Sequence, residues 1–163
     1  MEDQIAALLN LVREEISLYR DLIEHARKKT ALLVRGPLEA ILESNKIDET
    51  FNVKLRLLEN EVARLSQQLC QVLHISRDEF TLLKLADGAE GSVAAEIRSQ
   101  STLFRHMVDQ LKSVNQRNRK LVENSLRFSH GLLDFISNAT SSYQSTGMFR
   151  HYSIVASTIS NKA

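Results

Sequence analysis

Three stretches of this chain place mostly apolar residues at strictly alternating steps of four and three, and no other feature limits its folding as tightly. The first runs Ile5, Leu9, Val12, Ile16, Tyr19, Ile23, Ala26, Thr30, Leu33. The second runs Phe51, Leu55, Leu58, Val62, Leu65, Leu69, Val72. The third runs Phe104, Met107, Leu111, Val114, Asn118, Leu121, Ser125, Phe128, Leu132, Phe135. Steps averaging 3.5 residues make a seam that stays on one side of a helix over many turns, so each helix must lie lengthwise against another. Five Gly and one Pro in 163 residues are too few for the turns of a β-sandwich or barrel. The expected fold is therefore all-α: an elongated antiparallel bundle of three long helices plus one short helix, with coiled-coil-like packing.

The breakers set the boundaries. Gly36-Pro37 separates the first two stretches, with Pro suited to the first turn of a new helix, and Gly88 and Gly91 frame a short loop. Helices are expected at about residues 3–35, 37–73, 77–86 and 92–138, and the three long ones would measure roughly 50, 55 and 70 Å. Ser76 and Glu79 have capping-box spacing at the start of the short helix. The first helix has a second ladder, Leu8, Leu11, Leu18, Leu22 and Leu32, which predicts two neighbours and a central place. The second helix lacks one and is expected at the periphery, and its seam is interrupted near Ser44 and Asp48. Residues 1–138 thus form the predicted bundle and residues 139–163 a Ser/Thr-rich tail.

Composition narrows the function classes. Twenty-one basic residues stand against twenty acidic ones, giving no overall field for nucleic acid. A single Cys excludes an internal disulfide framework and fits a reducing compartment. The opening MEDQIAALLN lacks the basic segment of a secretory signal, and no run of 18 apolar residues occurs, so a cytoplasmic protein without stable membrane insertion is expected. None of the 13 Glu residues is followed three positions later by His, the pairing used by metal-binding bundles. Cys70 and His74 share a helix face, but zinc needs further ligands and a catalytic thiol an activated setting, and a helix-end Cys beside a solvated His accounts for them better. Phosphate-binding and nucleophile-elbow motifs do not occur. The chain is expected to be no enzyme and to hold no metal or cofactor. Arg98, Arg105, Lys112 and Arg119 form a heptad-spaced basic row that suits an acidic partner or RNA, or simply a solvated face.

The far end of the long helix carries more apolar surface than one neighbour needs. Val122, Leu126, Leu133 and Ile136 each follow a seam residue, and together with the seam they widen the apolar arc to roughly 200°. Small Ser125, Ser129 and Gly131 lie among them and would let another helix approach. Such a surface must be covered by the first helix's double stripe, by the tail, by a second copy, or by a partner. Residues 139–163 contain nine Ser or Thr, no acid, and the cations Arg150 and Lys162, a composition of disorder. Yet Tyr143, Met148, Phe149, Tyr152, Ile154, Val155 and Ile159 are more apolar than a linker requires, which suggests a segment that folds on binding. The candidate partner-binding residues are Val122, Leu126, Ser129, Leu133, Ile136, Met148, Phe149, Tyr152, Ile154 and Val155.

Two segments bring a family into view. Around the first junction the chain reads Tyr19-Arg20-Asp21-Leu22 and then Lys28-Lys29-Thr30-Ala31-Leu32-Leu33-Val34-Arg35-Gly36-Pro37-Leu38-Glu39-Ala40-Ile41. In the long helix it reads Leu111-Lys112-Ser113-Val114-Asn115-Gln116-Arg117-Asn118-Arg119-Lys120-Leu121, followed by Ser125, Leu126 and Phe128. These resemble the junction and the Asn-containing signature of the FlgN family of flagellar export chaperones; Tyr143, Gly147 and the Asn161-Lys162-Ala163 end are similar to its variable C-terminus. Pro37 stands where an acid is common in that family, which affects the turn. The resemblance implies a cytoplasmic type III export chaperone without ATPase activity. It would bind hook-associated proteins, FlgK and FlgL, through its C-terminal part and hand them to the export gate protein FlhA, with Tyr143 the nearest match to a gate-docking tyrosine. Composition and periodicity alone leave level with this a structural coiled-coil or adaptor protein that homo-oligomerises, as a dimer for instance, through the same stripe.

Overall fold

The structure is a computed structural model that describes residues 2–141. Four α-helices account for most of these: α1 Glu2–Arg35, α2 Leu38–Leu73, α3 Leu82–Asp87 and α4 Gly91–Ser141, with a 3-10 turn at Arg77–Glu79. The described residues contain no strand, and the all-α bundle expected from the seams is what forms. The chain divides into two units, one ending at Leu121 and one beginning at Val122, although α4 runs through both.

Contacts across the first unit fix the helix directions. Near the α1–α2 turn His25 and Lys29 meet Ser44, Asn45 and Asp48, while at the other end Leu8 and Leu9 share a core with Leu65 and Leu69. Rising numbers on α1 meet falling numbers on α2, so the two are antiparallel. Arg13 pairs with Glu96, Tyr19 meets Phe104, and Thr30 bonds Asn118, so α4 runs parallel to α1. α1 contacts both partners, as its double ladder predicts. The turn between α1 and α2 depends on Gly36: its N–H donates to the Leu32 carbonyl at 2.6 Å, and a Cβ at position 36 would sit 2.6 Å from that same oxygen. Pro37 takes an extended conformation just outside α2.

Two apolar clusters hold this unit together. The first joins Ile5, Leu8 and Leu9 of α1 to Leu65 and Leu69 of α2, Leu85 and Ala86 of α3, and Ile97 of α4. The second joins Val12, Ile16 and Ile23 to Met107, with Phe104 and Leu111 against them. Tyr19 and Phe104 meet edge to face, with centroids 5.3 Å apart and planes at 82°.

Local departures from the expected elements have physical reasons. The short helix at 77–86 is split: Phe80 and Thr81 are extended, and this turns Phe80 toward the first cluster. Ser76 makes no side-chain cap, so the Ser76–Glu79 capping box does not form; Thr81 caps α3 instead, accepting from the Lys84 N–H at 3.1 Å. Val72 ends the second seam on paper but is exposed, while Cys70 is buried and Leu73 packs against the core. A straight helix drifts away from a 3.5 repeat, and over the last turns of α2 the buried side follows the 3.6 period. α4 begins at Gly91, where φ is +61°, and continues to Ser141, so Ala139–Ser141 are helical rather than tail.

The interruption near Ser44 and Asp48 is a polar layer between α1 and α2. Ser44 is buried, with its Oγ 3.2 Å from His25 Nε2, which lies 3.1 Å from Asp48 Oδ1. Lys29 Nζ donates to Asn45 Oδ1 at 2.7 Å and pairs with Asp48. Polar groups replace the seam here because each finds a partner.

Glu15 is a buried carboxyl on α1, and its desolvation, reinforced by the charge of Glu59, raises its pKa from 4.5 to about 7. A carboxyl whose pKa is raised by folding favours the folded state while protonated. Its contribution is full below pH 4.5 and is lost as pH rises through about 7. Glu15→Gln is therefore expected to stabilise the protein by about 1–3 kcal/mol at pH 8, with the gain shrinking toward pH 4.5. Urea titrations of both proteins across that range measure it, and equal stability at pH 8 would contradict the assignment.

Candidate functional site

From Val122 onward α4 forms the second unit, and its sequence becomes sharply two-sided. At 100° per residue, Val122, Leu126, Phe128, Leu132, Leu133, Phe135 and Ile136 fall within an arc of about 180°. Glu123, Asn124, Arg127, His130 and Asp134 occupy the other half. A helix patterned this way is built to bury one side. Yet every residue from 122 to 137 is exposed, with Phe128 at 73%, Phe135 at 70%, Leu133 at 62% and Leu126 at 56%. The contrast lies within α4 itself, because Ala94, Ile97, Met107 and Asn118 earlier in the helix are buried.

Of the ten residues expected to bind a partner, five are placed. Val122, Leu126, Ser129, Leu133 and Ile136 share the apolar arc and are all exposed. Met148, Phe149, Tyr152, Ile154 and Val155 lie outside the described residues, as does Tyr143. Two details refine the expected surface. Ser129 Oγ donates to the Ser125 carbonyl at 2.9 Å, so its hydroxyl is satisfied within the helix and the stripe presents little unmet polarity. Gly131 falls on the polar side, opposite Val122, and does not lie among the apolar residues as the sequence reading placed it. On the polar side Arg127 donates to Asn124 Oδ1 at 3.2 Å.

The remaining sequence candidates give less. Cys70 is buried and His74 is exposed in a left-handed C-cap, with its N–H on the Cys70 carbonyl, so the two serve the end of α2. No three metal-ligating side chains come together among the described residues, and no described helix is long and apolar enough to cross a membrane. In the basic row Arg98 is tied to Asp87 at 3.0 Å. Sequence reasoning passed over a second apolar surface: Leu38, Leu42, Val53 and Leu57 of α2 are exposed within about 100° of one another. They lie off the seam, and Lys46 and Glu49 interrupt them, which is why no periodic signal marks them.

What the α4 arc can do is bind through shape and apolar area rather than chemistry. About seven large side chains at i, i+3, i+4 and i+7 spacing match the way one amphipathic helix receives another. Comparison with known proteins points to an assignment: the family model described as FlgN protein matches residues 1–150. No curated protein and no solved structure matches the chain.

Because the stripe is already in water, introducing charge there costs the isolated chain little. Leu126→Asp combined with Leu133→Asp is expected to leave the far-ultraviolet circular dichroism unchanged and to shift unfolding stability by less than about 1 kcal/mol. Global unfolding of the double variant would show that these leucines support the fold.

Proposed function

The chain belongs to the FlgN family of flagellar export chaperones, and from this premise we propose that it carries hook-associated proteins of the FlgK and FlgL kind in the cytoplasm and delivers them to the export gate protein FlhA. The observation that carries the reading is the exposed apolar arc of α4, from Val122 to Ile136. A chaperone for unassembled subunits must offer apolar surface to a chain whose own partners are not yet present. It must also do so without unfolding when empty. A helix end that is continuous with a packed bundle meets both needs, since the bundle is held by its own two clusters.

In this reading Val122, Leu126, Ser129, Leu133 and Ile136 receive a helical segment of the cargo. Ser125 and Ser129 give its backbone room to approach. Met148, Phe149, Tyr152, Ile154 and Val155 extend the contact, and Tyr143 docks on FlhA. Segments that order on binding spend part of their contact energy on ordering, so the complex stays releasable, as a carrier requires. The proposed work is binding and release, with no catalytic step and no cofactor. The same arc also suits a second copy of the chain, which is the reading of a structural coiled-coil adaptor; stoichiometry separates the two.

The test uses the full chain and a purified hook-associated protein of the FlgK or FlgL kind. Light scattering is expected to give one cargo chain per chaperone, and Leu126→Asp with Leu133→Asp is expected to weaken the complex at least about 100-fold, because buried leucine contacts are lost and a carboxylate would be desolvated. Unaltered affinity would overturn the assignment of the arc to cargo. A tight homodimer that persists and takes up no cargo would favour the adaptor.

A further inference from the structure

Away from the α4 arc, α1 and the middle of α4 line an open groove of about 560 Å³ next to the Asn118 contact. Ala31 and Val34 of α1 and Val114 of α4 supply its apolar part. Around them stand three guanidinium groups, Arg27 and Arg35 from α1 and Arg117 from α4. The lining contains no acidic residue. None of the three arginines is ion-paired among the described residues, whereas Arg13, Lys28, Lys29, Lys46, Arg64 and Arg98 each meet a carboxylate. Unpaired cations occur elsewhere on the described surface, but here three of them gather on one apolar groove whose lining holds no acid, a local excess of positive charge in a chain with twenty-one basic and twenty acidic residues.

We propose that this groove docks an acidic amphipathic segment of a protein partner, with carboxylates on Arg27, Arg35 and Arg117 and apolar side chains on Ala31, Val34 and Val114. Guanidinium is the cation whose paired N–H groups match a carboxylate, and the exposed apolar part asks for side chains between the charges. The chain's own residues 142–163 include no Asp or Glu, so they do not supply the acids. A nucleic acid backbone would need a longer basic track over polar ground, and the heptad-spaced row on α4 is interrupted where Arg98 is neutralised by Asp87. Arg35 has a further role in the last turn of α1, where a cation suits the helix carbonyls, but Arg27 and Arg117 have no such account. The groove shares no residue with the cargo-binding arc, so either surface can fail its test while the other stands.

The experiment measures binding of a fluorescent peptide of about 16 residues, with Leu at i, i+3, i+4 and i+7 and Glu elsewhere, to the full chain by anisotropy. Controls are the same peptide with Gln for Glu, a single-stranded RNA, and phosphatidylserine vesicles. The acidic peptide is expected to bind and to be weakened about tenfold or more in R27Q/R35Q/R117Q, with the Gln peptide weaker on the native chain to a similar degree. Amide shifts in the labelled native chain are expected to gather on residues 27–35 and 114–121, which locates the site independently of the variant. Equal peptide affinity in the triple variant, shifts confined to residues 122–137, or a stronger arginine-dependent affinity for RNA or vesicles would each overturn the proposal.

Discussion

Asn118 is buried in the seam between α1 and α4, and the bundle's arrangement depends on how that amide is satisfied. Its Nδ2 donates to the Ala26 carbonyl at 2.9 Å, and Thr30 Oγ1 donates to its Oδ1 at 2.6 Å. Apolar heptads alone would let α4 slide along α1 by whole repeats with little change in buried area. A buried amide removes that freedom, because any other register strands its polar atoms at a cost of about 1–3 kcal/mol or more. With Thr30 set against Asn118, α1 has only five residues left before it ends at Arg35. The first unit closes soon after, at Leu121, the last half-buried seam residue of α4.

The exposed arc follows from that constraint. α4 keeps its helical pattern for twenty residues after Leu121, and its seam positions Ser125, Phe128, Leu132 and Phe135 are all exposed. The sequence therefore holds an apolar stripe that the described chain does not bury. In an ordinary soluble helix such residues would be replaced by polar ones at no cost to the fold. Their placement on one face, with Glu123, Arg127 and Asp134 confined to the other, is the pattern of an amphipathic helix with its apolar side open. Cargo binding is the purpose proposed for that surface, and the self-satisfied hydroxyl of Ser129 shows how small polar residues sit in it without demanding water.

Much of the fold was legible because it depends on period alone. The three seams, the Gly36-Pro37 turn and the central place of α1 all follow from spacing, and Asn118 shows in the sequence as a polar residue at a seam position of the third stretch. The polar layer of His25, Ser44 and Asp48 was visible only as a gap in the second seam. What fills a gap depends on which residues of another helix lie opposite, and periodicity carries no cross-helix pairing. The division of the short helix at Phe80 and Thr81 was hidden for a related reason: local propensity favours a continuous helix, while the tertiary cluster draws Phe80 inward. The exposed apolar side of α4 was legible because an overly wide apolar arc is a sequence property. Gly131 was misplaced by counting proximity in sequence rather than angle. The cluster of Arg27, Arg35 and Arg117 could not be found at all, since it joins residues more than eighty positions apart.

The central claim is that the apolar arc of α4 stands open in the free chain and is covered by cargo. Amide hydrogen exchange over residues 122–137, followed in the free protein and in its complex with a hook-associated protein, tests this most directly. The account predicts rapid exchange in the free chain, slower exchange throughout that segment in the complex, and little change around Asn118. Exchange at 122–137 that is already slow in the free monomer, or unchanged when cargo is bound, would contradict it.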